Sequence, residues 1–413
     1  MIVQKYGGTS VATAARIRRV ARRVGERVQS GEEVVVVVSA MGHTTDRLID
    51  LARRVSAEPP PRELDMLVAN GETITAPLLA MALDELGVPA VSLTGAQAGV
   101  RTSAQHSKAR IRDIQPTRIR AAIREGRVPV VAGFQGVSEE LEITTLGRGG
   151  SDTTAVALAA ALGATACEIY TDVDGILSAD PRIVPDARLM PHVTYQEMLE
   201  LAAVGARVMH PRAVEIGELY DMPIHVRSSF HRRPGTLIVS SVPVEERNRV
   251  RGVAYERDVA KITILGVTDR PGVAAAIFEP LGEAGISVDV IVQNVSEQGH
   301  TDLTFTVAES ELAQASRLVR EVTREVGCRD VSEAGGVAKL SIVGTGMLGQ
   351  PGIAGTMFRT LADAKINIEM ISTSEIRITC IVRRDQVEAG VQALHRAFQL
   401  DQDEPVEPTA VTE

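Results

Sequence analysis

The pattern of apolar and polar residues divides the chain into an N-terminal part of alternating strands and helices and a C-terminal part that repeats itself. In the N-terminal part, short apolar runs predict buried strands at residues 2–4, 34–39, 90–93, 128–132 and 167–171. Helical spacing of apolar residues predicts helices at residues 12–28, 63–86, 116–125 and 152–162. This alternation predicts an α/β fold with a largely parallel sheet covered on both faces, and ligands then bind beyond the carboxyl ends of its strands.

A module of strand, helix, strand, strand and helix occurs twice in the C-terminal part. The strands that begin at Lys261 and Lys339 share the pattern Lys-apolar-polar-Ile, and each is followed by a Pro-Gly pair, at residues 271–272 and 351–352. This order of elements is that of a ferredoxin-like unit. A last strand is not recognisable in the second copy.

Weakly patterned stretches set the expected domain boundaries. Residues 241–258 are charged and predict a linker, and the acidic, Pro-containing end of the chain predicts a flexible tail. The predicted domains are therefore an N-terminal domain at 1–240, a linker at 241–258, two modules at 259–335 and 336–400, and a tail at 401–413.

Composition and charge narrow the class of protein. The 413-residue chain has a net charge of −9, 3% aromatic residues and no Trp, so it lacks the basic surface and the stacking side chains expected for binding nucleic acid. Its three cysteines, at positions 167, 328 and 380, show no metal-ligand spacing and predict no disulfide. Because the apolar runs are short and no signal sequence is visible, we expect a cytoplasmic protein without nucleic-acid or membrane partners.

One stretch of the second module matches the dinucleotide-binding fingerprint in an unsuitable setting. Gly344-Thr-Gly-Met-Leu-Gly349 follows a strand, and Glu369 has the spacing of a ribose-binding acid. The equivalent turn of the first module, at residues 266–272, lacks these glycines, and too few residues follow Glu369 to complete a nucleotide-binding domain. We therefore expect no nicotinamide site in this module.

Lysine precedes the glycines in the opening stretch Lys5-Tyr-Gly-Gly-Thr-Ser10, which closes the first strand and leads into a helix. Glycines let backbone N–H groups approach an anion, and a helix N-terminus faces that anion with partial positive charge. A Walker A loop places its lysine after the glycines, so this motif would form a different kind of phosphate pocket. A purely structural Gly-Gly turn explains the same stretch about equally well.

Four further segments carry candidate chemistry at predicted strand or helix ends. Residues 144–152 form a glycine-rich loop in which Arg148 could bind a carboxylate through two guanidinium nitrogens. Residues 39–45 follow an all-valine strand, Glu72 could receive an ammonium group, and residues 170–182 include acids after a strand. Each segment by itself could equally be a helix cap, a turn or a solvated acid.

Taken together, these motifs resemble the aspartate kinase family along nearly the whole chain. The resemblance rests on residues 5–10, Ser39 and Thr45, Gly71-Glu72, residues 146–152 and residues 171–175. The two C-terminal modules are similar to the ACT domains of that family. The resemblance implies an amino-acid-kinase-type three-layer α/β/α sandwich followed by two ferredoxin-like ACT domains. The implied reaction transfers the γ-phosphoryl of MgATP to the β-carboxylate of L-aspartate, giving 4-phospho-L-aspartate for lysine, threonine and methionine biosynthesis.

The resemblance also implies roles for individual residues. Lys5 would act on the phosphoryl group and Asp152 would orient Lys5, while Arg148 would bind the α-carboxylate of the substrate and Glu72 its ammonium group. The remaining substrate contacts would come from Thr45, Gly149, Gly150 and Ser151. The ATP site, with Mg²⁺ but no assigned protein ligand to the metal, would comprise Lys5, Tyr6, Gly7, Gly8, Ser10, Ser39, Thr171, Asp172, Ile176, Leu177, Ser178, Ala179, Asp180, Pro181, Arg182 and Arg207. Arg207 stands where a lysine is common in the family.

For the ACT modules, the resemblance implies lysine and/or threonine as feedback effectors. The candidate effector contacts are Asp269, Gln293 and Asn294 in the first module and Ile368, Ser374 and Glu375 in the second. Modules of this size leave one face of their sheet uncovered, so we expect a homo-oligomer formed through the ACT domains. A short separate regulatory chain is a further candidate partner.

Other interpretations stay open on the sequence alone. A different small-molecule kinase of the same fold would share the phosphate-binding residues but would not explain the repeated modules. A non-catalytic amino-acid sensor would explain the repeats but not Lys5, Arg148 and Glu72 together. The length of the chain speaks against a fused homoserine dehydrogenase.

Overall fold

The computed structural model describes residues 1–205, 208–242, 250–293, 299–347 and 350–402, and the chain forms two compact units. The first unit comprises Met1–Leu177, Leu189–Ala203 and Arg207–Glu246. The second comprises Ser178–Arg188, Val204–Ala206 and Arg247–Glu413. The predicted N-terminal domain, residues 1–240, contains the short segment 178–188. In the structure this segment belongs to the second unit, although it interrupts the first unit in sequence.

The first unit is built on a large sheet that is parallel except at one edge. Its strands are β1 (Ile2–Tyr6), β2 (Val34–Val38), β3 (Ala90–Leu93), β4 (Val100–Thr102), β5 (Ile111–Ile114), β6 (Val128–Ala132), β7 (Gln135–Val137), β8 (Ile143–Thr145), β9 (Cys167–Thr171), β10 (His192–Thr194), β11 (Ile224–Ser228) and β12 (Thr236–Val239). Eight of them form a sheet in the order β10-β12-β11-β9-β1-β2-β6-β3, in which β11 and β12 are antiparallel. Strands β5-β4-β7-β8 form a second, smaller sheet. The five predicted strands are present, and the parallel sheet is confirmed.

Eight helices accompany these strands in the described part of the first unit. They are α1 (Ala14–Gln29), α2 (Thr44–Val55), α3 (Pro61–Val68), α4 (Asn70–Asp84), α5 (Thr117–Arg124), α6 (Gly150–Leu162), α7 (Tyr195–Ala203) and α8 (Pro211–Leu219). The apolar face of α1 contributes Ile17, Val20 and Val24 to the main core, next to the valines of β2. Helix α2, which was not predicted, has no buried residue.

The helix predicted over residues 63–86 is two helices, α3 and α4. The side-chain amide of Asn70 donates to the carbonyl oxygens of Met66 and Leu67, at 2.8 and 3.1 Å, and so satisfies the last turn of α3. Counted as one stretch, Pro61–Asp84 is long and apolar enough to cross a membrane, but half of its most apolar window is buried inside the protein. That burial is typical of a core helix.

The second unit contains one antiparallel six-stranded sheet. Its strands are β13 (Gly252–Thr268), β14 (Asp289–Gln293), β15 (His300–Val307), β16 (Asp330–Val343), β17 (Met370–Thr373) and β18 (Arg377–Arg383). Its helices are α9 (Val273–Glu283), α10 (Leu312–Val326), α11 (Ile353–Asp363) and α12 (Val387–Ala397). The strand order is β14-β15-β13-β16-β18-β17, so that β14 and β17 are the edges.

The long strands β13 and β16 explain why no last strand was found in the second module. The second half of β13 pairs with β15 and with the first half of β16, and this completes the first module. The first half of β13, from Gly252 to Glu256, pairs with the second half of β16, opposite β18. The last strand of the second module therefore precedes the first module in sequence. It lies inside the predicted linker 241–258, of which residues 243–249 are outside the described residues.

Two ion pairs join the modules reciprocally. Lys261 of the first module pairs with Glu369 of the second, with Nζ and Oε2 2.6 Å apart, and Lys339 of the second pairs with Asp289 of the first. Glu369, directly before β17, is thus engaged by a lysine of the first module. Gly349 of the glycine fingerprint and residues 403–413 of the predicted tail lie outside the described residues.

We predict that Val253→Asp destabilises the second unit. Val253 is 3% exposed and packs in the core of the second module with Leu340 and Ile342, so an unpaired carboxylate there should cost several kcal/mol. Thermal unfolding and limited proteolysis of the full chain would measure the loss. The control is Val55→Asp, because Val55 is 84% exposed. If both variants unfolded like the parent chain, residues 252–256 would not be part of that core.

Candidate active site

Lys5 points from the centre of the main sheet toward the first turn of α6. Strand β1 lies between β2 and β9, and Lys5 is opposite Val37 and Ile169 in the two parallel pairings. Side chains alternate along a strand, and Lys5 emerges on the face covered by α6, where its Nζ lies 2.5 Å from Oδ1 of Asp152. Both side chains are nearly buried, so the ion pair holds the ammonium group in one position.

The loop before α6 contains two glycines in the left-handed conformation. Gly147 has φ of 77° and Gly149 has φ of 70°, a region that residues with a Cβ rarely adopt. A Cβ at Gly149 would come within 2.3 Å of the Cβ of His210, and one at Gly150 within 2.9 Å of Leu146 and Phe134. The loop therefore needs glycine both for its backbone angles and for its close packing.

Arg148, between these glycines, is exposed and forms no ion pair with the described residues. Its guanidinium group lines a cavity together with Lys5 and the N-terminal turn of α6. A cation without a protein partner, beside a helix N-terminus, is suited to binding an anion.

Glu72 is a buried acid with one carboxylate oxygen available to a ligand. It lies in the first turn of α4 with 3% exposure, and its Oε1 accepts a hydrogen bond of 3.0 Å from the backbone N–H of Ala40. Its Oε2 has no hydrogen-bond partner among the described residues. Burial raises the pKa of Glu72 to about 7. An ammonium group would supply both the missing hydrogen bond and the missing charge.

These groups line one cavity of about 270 Å³ beyond the carboxyl ends of β1 and β2. Its lining contains Lys5, Gly8, Ser39, Ala40, Gly42, Thr45, Glu72, Phe134, Gly147, Arg148, Gly149, Gly150, Ser151 and Asp152. All the predicted substrate and catalytic residues are among them. Ala40, Gly42 and Gly147 lie within the candidate segments 39–45 and 144–152 but were not assigned a contact, and Phe134 lies outside every candidate segment.

Three residues predicted to bind the nucleotide, Tyr6, Gly7 and Ser10, are not among the residues that line the cavity and instead contact neighbouring strands. Tyr6 is fully buried, and its ring stacks on that of Tyr170 with centroids 4.8 Å apart, so its side chain does not line the cavity. Ser10 is also buried, and its hydroxyl donates to Oγ of Ser229 at 2.9 Å. The N–H of Gly7 donates to the carbonyl of Tyr170 at 3.1 Å. Tyr6 and Gly7 thus contact β9, and Ser10 contacts the residue that follows β11.

The predicted nucleotide residues after β9 lie apart from the described cavity. Thr171 is the last residue of β9 and Asp172 follows it, with the Thr171 hydroxyl 3.2 Å from Oδ1 of Asp172. The buried Ile176 and its neighbour Leu177 follow in the first unit. Arg207 lies outside the described residues.

Residues 178–182 belong to the second unit. The Ser178 hydroxyl is buried 2.9 Å from Nε2 of His395, and Ala179 packs in the core of the second module. Pro181 is exposed, and Asp180 is bound by Arg182 at 2.7 Å and by the hydroxyl of Tyr255 at 2.9 Å. The hydrogen bonds from Arg182 lower the pKa of Asp180 to about 2.

The candidate effector residues occupy the ends of the module strands. Asp269 follows β13 and Gln293 ends β14, both exposed, while Asn294 lies outside the described residues. In the second module, Ile368 packs at the margin of the core, and Ser374 and Glu375 form the exposed turn between β17 and β18. The Ser374 N–H closes that turn on the carbonyl of Arg377 at 2.8 Å.

Comparison with known proteins agrees with the fold and identifies the family. A model of the amino acid kinase family matches residues 1–228, and a model of the ACT domain matches residues 262–322 and 340–398. These matches define the class, a small-molecule kinase with ACT domains. The aspartokinase of Mycobacterium bovis is 52% identical over 410 residues, which cover 98% of this chain and 97% of that protein. The chain therefore belongs to the aspartokinases of the amino acid kinase family.

Two solved structures extend the similarity to three dimensions. Escherichia coli aspartokinase III in complex with aspartate and ADP, in the R-state, is 27% identical with a TM-score of 0.81, over 96% of this chain and 99% of that chain. The same enzyme in complex with lysine and aspartate, in the T-state, is 26% identical with a TM-score of 0.73, over the same shares of the two chains. The kinase interpretation is confirmed, and the non-catalytic sensor is no longer needed to explain the repeats.

Proposed function

We propose that this aspartokinase transfers the γ-phosphoryl group of MgATP to the β-carboxylate of L-aspartate, giving 4-phospho-L-aspartate and ADP, as the first step toward lysine, threonine and methionine. The observation that carries the proposal is that Lys5, Glu72 and Arg148 line one cavity. An amino acid with a carboxylate side chain has an ammonium group and two carboxylates. Glu72 and Arg148 complement its α-ammonium and α-carboxylate, and the β-carboxylate is left to react beside Lys5.

The chemistry needs positioning and charge neutralisation more than proton transfer. A β-carboxylate with a pKa of about 4 is already ionised near neutral pH, so no general base is required. One carboxylate oxygen forms a bond to the γ-phosphorus while the bond from that phosphorus to the ADP oxygen breaks. Lys5, held by Asp152, places a cation beside the phosphoryl oxygens during this exchange, and the N–H groups that start α6 add partial positive charge.

Magnesium is expected to arrive with the nucleotide. The described residues contain no group of three or more His, Cys, Asp or Glu side chains placed to hold a metal ion. Proteins commonly bind Mg²⁺ through one or two carboxylates together with substrate phosphates. When bound, the ion would neutralise charge on the phosphates. Asp172, exposed after β9, is one of the acids that the family resemblance assigns to the ATP site.

We also propose feedback inhibition by lysine and/or threonine through the ACT modules, in a homo-oligomer. The side chains of Asp269, Gln293 and Glu375 are polar and exposed at the ends of module strands, where an amino acid could contact them. The E. coli relative was solved with lysine bound. The edge strands β14 and β17 leave backbone groups that a second copy could pair with. A short regulatory chain and a cytoplasmic location stay predictions.

An acyl-phosphate assay tests the proposed reaction directly. The purified chain, supplied with ATP, Mg²⁺ and L-aspartate, should form a product that hydroxylamine traps as a hydroxamate, and omission of aspartate should abolish the signal. Adding lysine, threonine or both should lower the rate, because an effector that binds the less active state better shifts the population toward it. No hydroxamate would exclude the proposed reaction. A rate unaffected by either amino acid would exclude only the regulation.

Lys5→Ala is expected to lower kcat by a factor on the order of 100 to 1,000, because a preorganised cation at the developing charge acts mainly in the transition state. The KM values for ATP and aspartate should change little by comparison. Steady-state kinetics would measure both effects, with Lys365→Asn as the control, since Lys365 is exposed at the end of α11 in a conformation that asparagine tolerates. Turnover close to that of the parent enzyme would remove Lys5 from the mechanism.

The pKa of Glu72 predicts the pH dependence of aspartate use. Burial raises this pKa to about 7, so below that pH the acid is mostly neutral and binds an ammonium group poorly, whereas above it the carboxylate dominates. The value of kcat/KM for aspartate should therefore rise with pH and level off above about 7. Glu72→Gln should lower kcat/KM by on the order of 10 to 100-fold and abolish this step. A pH step that persisted in Glu72→Gln would assign it to another group.

A further inference from the structure

Asp65 is a buried carboxylate that lies outside the cavity lining and binds the loop leading to it. It projects from α3 with 1% exposure. Its Oδ1 accepts from the hydroxyl of Thr145 at 2.6 Å, and its Oδ2 accepts from the backbone N–H of Thr145 at 3.0 Å. Both oxygens accept from the N–H of Ser107, at 3.1 and 2.9 Å, and Oδ2 also accepts from Nδ1 of His106 at 3.0 Å. An acid with this many donors is fully satisfied despite its burial.

The bonds of Asp65 converge on the segment that carries Arg148. Thr145 ends β8, and only Leu146 and Gly147 separate it from Arg148. The carbonyl of Thr145 accepts from the N–H of Ala109 at 2.9 Å, so the backbone N–H, the hydroxyl and the carbonyl of this residue are all held. The carbonyl oxygen of Ser107 also lies against Gly147, where a Cβ would come within 2.9 Å of it.

Arg212 holds the same segment from α8. Its Nη1 donates to the carbonyl of Leu146 at 2.7 Å, and its Nη2 donates to the carbonyl of Ala109 at 2.9 Å. Arg212 thus fixes Leu146, directly before Gly147, and Asp65 fixes Thr145 at the end of β8. The loop itself contains two left-handed glycines, which leave its backbone many alternatives. The external hydrogen bonds of Asp65 and Arg212, together with the close packing of Gly149 and Gly150, restrict the loop to one conformation.

We propose that Asp65 is a positioning residue for substrate binding, which acts by fixing the strand end and loop on which Arg148 is carried. The proposal rests on the proposed function, in which Arg148 binds the α-carboxylate of aspartate. Asp65 touches neither the cavity nor a reacting atom. Substitution of Asp65 should therefore lower kcat/KM for aspartate, and only while Arg148 is present. The KM for ATP should stay nearly unchanged.

A double-mutant cycle between Asp65 and Arg148 tests this. Asp65→Ala should lower kcat/KM for aspartate by on the order of 10 to 100-fold, since a loop displaced by about 1 Å can cost that much, and should leave the KM for ATP within about twofold. In the Arg148→Ala background the same substitution should cost less than about twofold, because the group it positions is already gone. The control is Glu63→Ala, which removes an exposed acid of the same helix.

Equal losses from Asp65→Ala in the two backgrounds would overturn the proposal, because they would show a structural effect independent of Arg148. An equal rise in the KM for ATP would overturn it as well. If Asp65→Ala does not fold, Thr145→Val removes only the shortest of the hydrogen bonds and enters the same cycle, with a several-fold loss expected that again disappears without Arg148. Failure of the proposed function would show itself separately, because the parent enzyme would then form no hydroxamate from aspartate.

Discussion

The cavity depends on one constraint, the position of Lys5 on a strand that is buried and flanked by parallel neighbours on both sides. A lysine in such a strand can be accommodated only where its ammonium group meets an acid, and Asp152 in the first turn of α6 provides that acid at 2.5 Å. The pair fixes α6 relative to β1. It therefore also fixes the helix N-terminus and the preceding glycine loop, which carry the remaining cationic part of the site.

Much of this arrangement could be predicted from the sequence because it follows from local patterns. The all-valine run of β2 and the apolar stripe of α1 indicate their own structure, and parallel strands bring their carboxyl ends to one edge. Lys5 and Ser39 each follow or end a predicted strand, so their convergence was a consequence of the topology, whereas the glycine loop was located only by the helix predicted after it. Glu72 was a candidate ligand for an ammonium group from its residue type, but the sequence around it did not distinguish it from a solvated acid near a helix start.

The parts that could not be predicted depend on contacts between residues far apart in sequence. The last strand of the second module was sought after its other elements, but it precedes the first module, because Gly252–Glu256 pairs with the far half of β16. No sequence pattern within residues 252–256 indicates that this strand belongs to the second module. Asp65 and His210 were not predicted for the same kind of reason. In the sequence Asp65 looks like any acid of a helix and His210 like a residue before a helix, and only the folded chain brings them against the glycine loop. Segment 178–182 resembles a nucleotide-binding stretch, yet Ala179 is packed in an ACT module core.

The charges of the cavity explain why it suits an α-amino acid with an acidic side chain. Lys5 is compensated by Asp152, whereas Arg148 and one oxygen of Glu72 have no partner among the described residues. These two groups have opposite charge, and an α-carboxylate with an adjacent ammonium group would neutralise both at once. The side-chain carboxylate of the substrate would then be the one group without a full counter-charge, because the neighbouring Lys5 is already paired with Asp152. It would keep its nucleophilic oxygen instead of being held in a tight ion pair, which is what transfer to a phosphoryl group requires.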